Sequence, residues 1–394
     1  MVRKQKFKKI LFLVVDGLAD LPINRKTPLS VADKPNLDWF AENGICGTLN
    51  LIPKTMPVWS HIANVSLLGY ELKKLYLKRG PLEAVGADLP YQEGHLALRC
   101  NFATVDKNLK VIDRRAGRKT FGLDEITRYL NLHVNIGIPF ILKRTYGHRA
   151  VLIIKMDLDD RISDNDPLKA GETVKNVQAL TPDALVSAKI VQDFIEKVRN
   201  VIEYCPANLK RIEINLPPAN YLLVRDAGNK LFVLKNFAEK YKIEKTLCVS
   251  ERGVMKATCM LAGFNAITVP ELTFERSLDF IFKTIEDSLP EYDFVYTHVK
   301  GPDESAHDGN FEEKVRRIEA IDKKLADFKN FDGVLVLTTD HITSCELKAH
   351  VHGKVPLLVF GKGKDKVKKF DEFSVNVGKL RNFNGRNLMR FIFK

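Results

Sequence analysis

No CxxC pair, no long apolar run and no low-complexity stretch occurs in this 394-residue chain, and each absence removes a class of protein. The six cysteines (Cys46, Cys100, Cys205, Cys248, Cys259 and Cys345) are scattered, so no zinc finger is expected and free, mostly buried thiols in a reducing cytoplasm are. The longest early apolar run, Ile10 to Val15, has six residues and stops at Asp16. It is too short for a signal-peptide core and far short of the roughly 20 residues a bilayer-spanning helix needs. It reads instead as a buried strand. With 45% hydrophobic and 28% charged residues the composition is that of a soluble globular protein with room for two domains. No RNP-type aromatic motif or basic heptad pattern speaks for nucleic acid, and no internal repeat is present. The formal charge of +13 leaves a small anion as a partner. The lysines are otherwise dispersed as a solvated surface, and the densest run, Lys362 to Lys369, contains Gly363 and Asp365 and reads as an exposed turn.

What is present is a repeated grammar of apolar strands ending in acids. Lys8 to Val15 is apolar on both faces, as suits a central parallel strand, and it ends at Asp16-Gly17. Asp293 to Val299 leads to Asp303, Gly333 to Thr339 leads to Asp340-His341, and Pro356 to Gly361 is a further short strand. Helical periodicity fills the gaps, as from Glu312 to Phe328. In open α/β sheets ligands bind at the carboxyl ends of strands, so acids there call for a functional explanation. The middle differs: HLALRCNFATV and RAVLIIKM, interrupted by the turn segment ISDNDPLKAG, read as a smaller α+β domain. The expected organisation is a core of 1–87 and 188–394 with an inserted domain at 88–187, hinged near Ala87 and Ser187.

Seven side chains gather at these predicted strand ends. Asp16 follows the first strand, and Ser60 sits at the start of a helix in TMPVWSHIANVSLLGY. Asp303 and His307 are four apart, which puts them on one helical face. Asp340 and His341 are adjacent, and His350 follows. Each part is weak evidence alone; together they supply enough oxygen and nitrogen ligands for two divalent cations, a pair that at about 4 Å can clamp an in-line phosphoryl displacement. The mixture of carboxylate and imidazole suits Mn²⁺ or Zn²⁺ better than Mg²⁺.

In order along the chain, VVDGLAD, PNLDWFAENGICG, a Ser followed by LLGY, RGPLEAVG, NFATVD, DRRAGR, GHRAVL, SDNDP, DESAHDGN, TTDHITSC and AHVHGKVPLL resemble the archaeal-type cofactor-independent phosphoglycerate mutases of the alkaline phosphatase superfamily. The resemblance runs from about residue 8 to about 361. It implies an α/β fold, an alkaline-phosphatase-like three-layer core with a mostly parallel sheet and an inserted domain acting as a lid. It implies Asp303, His307 and His350 at one metal, and Asp16, Ser60, Asp340 and His341 at the other. Family members generally use Mn²⁺, some Mg²⁺, Zn²⁺ or Co²⁺, and no 2,3-bisphosphoglycerate. Ser60 would be transiently phosphorylated as 3- and 2-phosphoglycerate interconvert in glycolysis and gluconeogenesis. His61 beside it is read as supporting structure, since adjacent residues rarely point the same way.

Substrate contacts are expected from Arg114, Arg115 and Arg118 of DRRAGR, whose guanidinium forks match carboxylate and phosphate. His148, Arg149, Asp164 and Asp166 are expected to add donors and acceptors, with Arg79 and Arg252 as further candidates. Four positions depart from the family pattern. Trp59-Ser60-His61 replaces Gly-Ser-Asp, Arg252 replaces Lys, Leu168 follows SDNDP where His is usual, and VPELTFERSLDF replaces a Gly-Thr-Asp-rich loop. A phosphatase or phosphomutase acting on another phosphorylated metabolite therefore stays open, as does a binding protein that has lost turnover, which the intact serine and ligands argue against.

Overall fold

The computed structural model describes residues 9–73, 75–76 and 78–394; the basic lead-in through Lys8 lies outside them. The chain forms two compact units. One contains the described residues up to Leu75 with Val233–Glu251 and Thr258–Lys394, and the other contains Tyr76–Phe232 with Arg252–Ala257.

The first unit is built on an eight-stranded sheet in the order Leu380–Phe383, Gly44–Leu49, Val355–Phe360, Gly333–Thr338, Lys9–Val15, Phe294–Val299, Thr246–Ser250, Asn265–Thr268. Val355–Phe360 pairs antiparallel with both neighbours, and every other pairing is parallel. This is the expected α/β class with a mostly parallel sheet. Lys9–Val15 lies inside the sheet, which explains its uninterrupted apolar sequence. Leu11, Leu13 and Val15 face a core shared with Ile281, Ile285, Ile318 and Ile321 from covering helices. Phe12 turns to the other face and stacks on Phe294 and Tyr296 at ring-centroid distances of 5.8 and 5.5 Å.

The strand ends are drawn together by one turn. Gly17 has φ +66°, and a Cβ there would stand 2.6 Å from the Asp303 Cα. Only glycine allows that approach. It lets the Asp303 amide donate to the Asp16 carbonyl at 3.0 Å, so the end of the first strand and the start of the Pro302–Asp308 helix are fixed side by side. That short helix is bounded by Gly301 and Gly309, both at positive φ, with Pro302 at its first position.

The second unit is an antiparallel five-stranded sheet centred on His95–Val105, which pairs with Arg149–Asp157, Tyr221–Gly228 and Val111–Asp113, while Phe140–Arg144 pairs with Arg149–Asp157. The boundaries differ from 88 and 187. Tyr221–Gly228 hydrogen-bonds to His95–Val105, so the chain is still inside this sheet forty residues past the expected exit. Ser187 is 1% exposed inside the helix Leu185–Ile202, and Ala87 is buried directly after the helix Arg79–Gly86. Neither can act as an open hinge. All six cysteines are free and buried. Among the described residues no helix is long and apolar enough to cross a membrane.

Candidate functional site

Ser60 is the first residue of the helix Ser60–Leu67, with Trp59 at the cap position. Its hydroxyl oxygen is 3.0 Å from His341 Nε2. The unpaired amides of a helix's first turn favour negative charge, so the serine stands where an anion is welcome.

Around it the other six predicted side chains come together. His341 Nε2 lies 3.4 Å from Asp16 Oδ1 and 3.4 Å from Asp340 Oδ2. His350 Nε2 lies 3.2 Å and His307 Nε2 3.6 Å from Asp303 Oδ1. Asp303, His341 and His350 form one set of converging ligand atoms, and Asp16, Asp340 and His341 form another.

Three observations test whether these residues suit bound cations. First, His307 Nδ1 donates to the Lys348 carbonyl at 2.9 Å and His350 Nδ1 to the Val58 carbonyl at 3.0 Å. Such bonds fix the tautomer and leave both Nε2 lone pairs free. Those two Nε2 atoms stand only 3.0 Å apart, a juxtaposition that calls for a positive charge between them. Second, buried Asp16 Oδ1 accepts no hydrogen bond among the described residues. Third, charge is unbalanced. Burial, then Asp340 and Asp303, push the Asp16 carboxyl well above its usual range. Burial draws His341 down to about 4, so it is neutral near pH 7. Burial also opposes ionisation of Asp303 and charge on His350. The hydrogen bond to His350 and the electrostatic pull of His341, His307 and His350 together outweigh it and lower the Asp303 carboxyl, while the bond to Asp303, its charge, the Val58 carbonyl and Asp340 together raise the His350 imidazole. The residues fit divalent metal.

Two further side chains complete the cluster, and the sequence reading did not single them out. Thr343 donates to Asp303 Oδ1 at 2.8 Å and contacts His341 Nδ1 at 3.0 Å. It lies two residues past His341 and directly opposite His350 in the hairpin Ile342–Ser344/Ala349–Val351. His298, buried near the end of Phe294–Val299, places Nε2 3.5 Å from Asp340 Oδ2 and 4.0 Å from Asp16 Oδ2. A histidine in the otherwise apolar DFVYTHV was the available signal. His61 is fully buried and stacks on Trp59 at 5.6 Å; the serine's imidazole neighbour is His341.

A buried lysine holds the loops that carry these groups. Lys314, 0% exposed on the helix Phe311–Leu325, donates to Asp20 Oδ2 at 2.8 Å, Thr343 O at 2.9 Å and Ala19 O at 3.1 Å. The ammonium's three protons thus tie the segment after Asp16 to the segment after His341. Lys314→Met leaves the buried Asp20 unpaired, and the expected loss of stability is about 3–5 kcal/mol. Urea unfolding of the variant would show this. A midpoint equal to that of the parent protein would mean the tie carries nothing.

The second unit assembles arginines. Arg99 and Arg225 are directly opposed across paired strands, an arrangement that like charges normally disfavour. Arg149 pairs opposite Asn101, two residues from Arg99 and therefore on the same face. The helix Arg79–Gly86 packs its Ala84 onto Ala97, Val151 and Ile153 of that face, and Arg79 joins the group. Glu83 stands 3.4 Å from Arg79 and 3.5 Å from Arg99, and Asp226 is 3.9 Å from both Arg99 and Arg225. The Nε atoms of Arg79, Arg99, Arg149 and Arg225 are buried with no hydrogen-bond partner among the described residues. Burial and then the neighbouring Arg79, Arg225 and Arg149 pull the Arg99 guanidinium well below its usual range. Burial and then Arg149, Arg115, Arg99 and Arg118 pull His148 down to about 2, so it stays neutral.

Not every expected contact is free for substrate. Arg114 turns its fork onto Asp166, with Nε to Oδ1 at 2.9 Å. Asp164 accepts from the Asp226 amide at 3.0 Å, and its carboxyl is raised by burial and then by Asp226. The DRRAGR turn is held by Asp113, which accepts from the amides of Arg115 and Gly117 at 2.7 and 3.0 Å. Arg252 is exposed on the turn before Val254–Leu261 and makes no ion pair among the described residues. Arg99 and Arg225, which no motif singled out, could have been noticed as lone arginines in the apolar strands HLALRCNFATV and YLLVRDAG.

Comparison with known proteins places the chain in a family. Residues 41–208 match the family model for 2,3-bisphosphoglycerate-independent phosphoglycerate mutase. A protein of that name from Methanocaldococcus jannaschii is 37% identical over 98% of this chain and 96% of its own length. One from Archaeoglobus fulgidus is 37% identical over 96% of each. Among solved structures, the cofactor-independent phosphoglycerate mutase of Thermoplasma acidophilum is 30% identical, covers 98% of this chain and 99% of its own, and has a TM-score of 0.61. A protein from Pyrococcus horikoshii, 28% identical and covering 98% and 96%, reaches a TM-score of 0.79. The likeness is full-length, and this chain belongs to the 2,3-bisphosphoglycerate-independent phosphoglycerate mutases.

Proposed function

We propose that the chain interconverts 3-phosphoglycerate and 2-phosphoglycerate through a phosphorylated Ser60. The observation that carries this reading is the Ser60 hydroxyl at 3.0 Å from a neutral His341, amid two converging sets of metal-ligand atoms. Asp303, His307 and His350 would hold one divalent cation, and Asp16, Ser60, Asp340 and His341 the other, with Mn²⁺ best suited to the mixed oxygen and nitrogen donors. When bound, such cations lower the serine's pKa and neutralise the transferring phosphoryl group.

The chain's own residues supply the rest. Thr343 and the two carbonyl-anchored imidazoles keep the ligand atoms aimed. The first-turn amides of Ser60–Leu67 favour the anion that forms on Ser60. In the proposed cycle the O–P bond at the 3-oxygen breaks as Ser60 Oγ–P forms. The glycerate 2-oxygen then takes the phosphoryl group back as the Ser60 Oγ–P bond breaks, and in each transfer the proton lost by the attacking hydroxyl is balanced by one gained at the leaving oxygen. Between the two transfers the glycerate must be retained and water excluded, or the outcome is hydrolysis. The arginine-rich unit suits that lid role, because its unpaired guanidinium donors match carboxylate and phosphate.

Mn²⁺-loaded protein incubated with 3-phosphoglycerate and followed by phosphorus NMR tests the reaction. The 2-phosphoglycerate resonance is expected. Free phosphate alone would favour a phosphatase, and a spectrum unchanged with 3-phosphoglycerate and with every other phosphoester tried would end the enzymatic reading. Within the same proposal, Arg149→Ala removes one charge-assisted hydrogen bond, worth about 1.5–3 kcal/mol. We expect kcat/KM to fall by about 10–150-fold while the fold survives, because among the described residues the Arg149 side chain makes no hydrogen bond or ion pair and its Nε is unpaired. Steady-state kinetics with circular dichroism reads both parts.

A further inference from the structure

The helix that begins with Ser60 ends beside a cavity that the transfer site does not use. This cavity of about 840 Å³ lies within the first unit, a size within the range of small-molecule sites. The start of the Gly385–Ile392 helix opens into it, where Asn384 caps the amide of Asn387. Gly385 is required: a Cβ there would sit 1.5 Å from the Ser66 carbonyl oxygen. Ser66, only 8% exposed, lines the same cavity, and its hydroxyl makes no hydrogen bond among the described residues.

The charge is one-sided. Lys73, Arg386 and Arg390 line the cavity against a single acid, Glu71, which pairs with Arg386. Lys73 and Arg390 form no ion pair or hydrogen bond among the described residues. Leu51, Leu72 and Phe383 add an apolar wall. The hydroxyl of a residue only 8% exposed, a helix N-terminus and two cations without ion pairs among the described residues line one space, which is the composition of a phosphate cradle. The volume and the apolar wall exceed what inorganic phosphate needs.

We propose that this cavity binds a phosphorylated small molecule of about nucleotide size, its phosphate held by Ser66, the first turn of Gly385–Ile392, Lys73 and Arg390, and its ring or sugar laid against Leu51, Leu72 and Phe383. Ser66 is six residues beyond Ser60, about 9 Å along the helix axis, so the cavity stands at the opposite end of the nucleophile's helix.

Adenosine monophosphate is the probe, titrated by calorimetry into Mn²⁺-loaded full-length protein, with inorganic phosphate in a parallel titration. Arg390→Glu and Lys73→Glu are each expected to weaken binding at least tenfold, with turnover of 3-phosphoglycerate unchanged. Lys73 is exposed, so its variant keeps the test sound if Arg390→Glu fails to fold. Absence of binding to the parent protein, or equal binding by parent and both variants, would overturn the site. Equal affinity for phosphate and the nucleotide would overturn the role given to the apolar wall. Turnover is measured separately, so failure here leaves the mutase reading standing, and the reverse holds too.

Discussion

Ser60→Ala should lower turnover by on the order of 10⁴-fold or more, as removal of a covalent nucleophile does in enzymes that act through one. The same substitution should barely change stability. Ser60 does not cap its helix; Trp59 occupies that position, with no side-chain capping bond. Among the described residues the lost hydroxyl hydrogen-bonds only with His341 Nε2, and alanine is the better helix former. The proposed ligand set Asp303, His307 and His350 does not include Ser60, so one cation should still bind with little change. Two measurements check this: phosphorus NMR for turnover, and mass spectrometry of the parent protein quenched during turnover, which should show one added phosphoryl group that the variant lacks. If the variant retains its rate, the phosphoserine route is wrong whatever the substrate.

Metal removal is the second large effect. Chelation should abolish activity, and Mn²⁺ should restore it. The structural reason is the crowding of the Asp16, Asp303 and Asp340 carboxyls around a neutral His341, which opposes ionisation of Asp16 and leaves its Oδ1 without a hydrogen bond among the described residues. A cation held at 100 times its dissociation constant stabilises the folded state by about 2.7 kcal/mol per site. Two sites predict a fall of several degrees or more in thermal midpoint on chelation, recovered on adding Mn²⁺. Differential scanning calorimetry with and without chelator reads this directly. An unchanged midpoint together with unchanged turnover would mean the converging carboxylates and imidazoles serve structure alone.

The departures around Ser60 also take on physical content. His61 does not compete for the serine proton; it is buried against Trp59, while the imidazole at the hydroxyl comes from His341, 281 positions away. Leu168, where the resemblance implied histidine, is exposed, so leucine there fills no place in the core. Phosphoryl chemistry at Ser60 and the choice of phosphoglycerate are therefore separable, and the NMR experiment addresses them separately.

The sequence by itself determined the strands of the first unit and the chemical type of its site. Central strands buried on both faces must be apolar throughout, so Lys9–Val15, Phe294–Val299 and Gly333–Thr338 announce themselves, and an acid ending each of them stands out. The i, i+4 spacing of Asp303 and His307 and the placement of Ser60 at a helix start are local properties that a linear chain displays. Tertiary structure decided the rest. The exit from the second sheet could not be read, because Tyr221–Gly228 belongs there only through hydrogen bonds to a strand more than a hundred residues earlier. The arginine field was hidden for the same reason: Arg99, Arg149 and Arg225 share a face by register, which sequence spacing does not encode. Thr343, His298 and Lys314 acquire their roles only when strand ends that are distant along the chain meet, and that meeting depends on Gly17, whose missing Cβ lets Asp16 and Asp303 stand side by side.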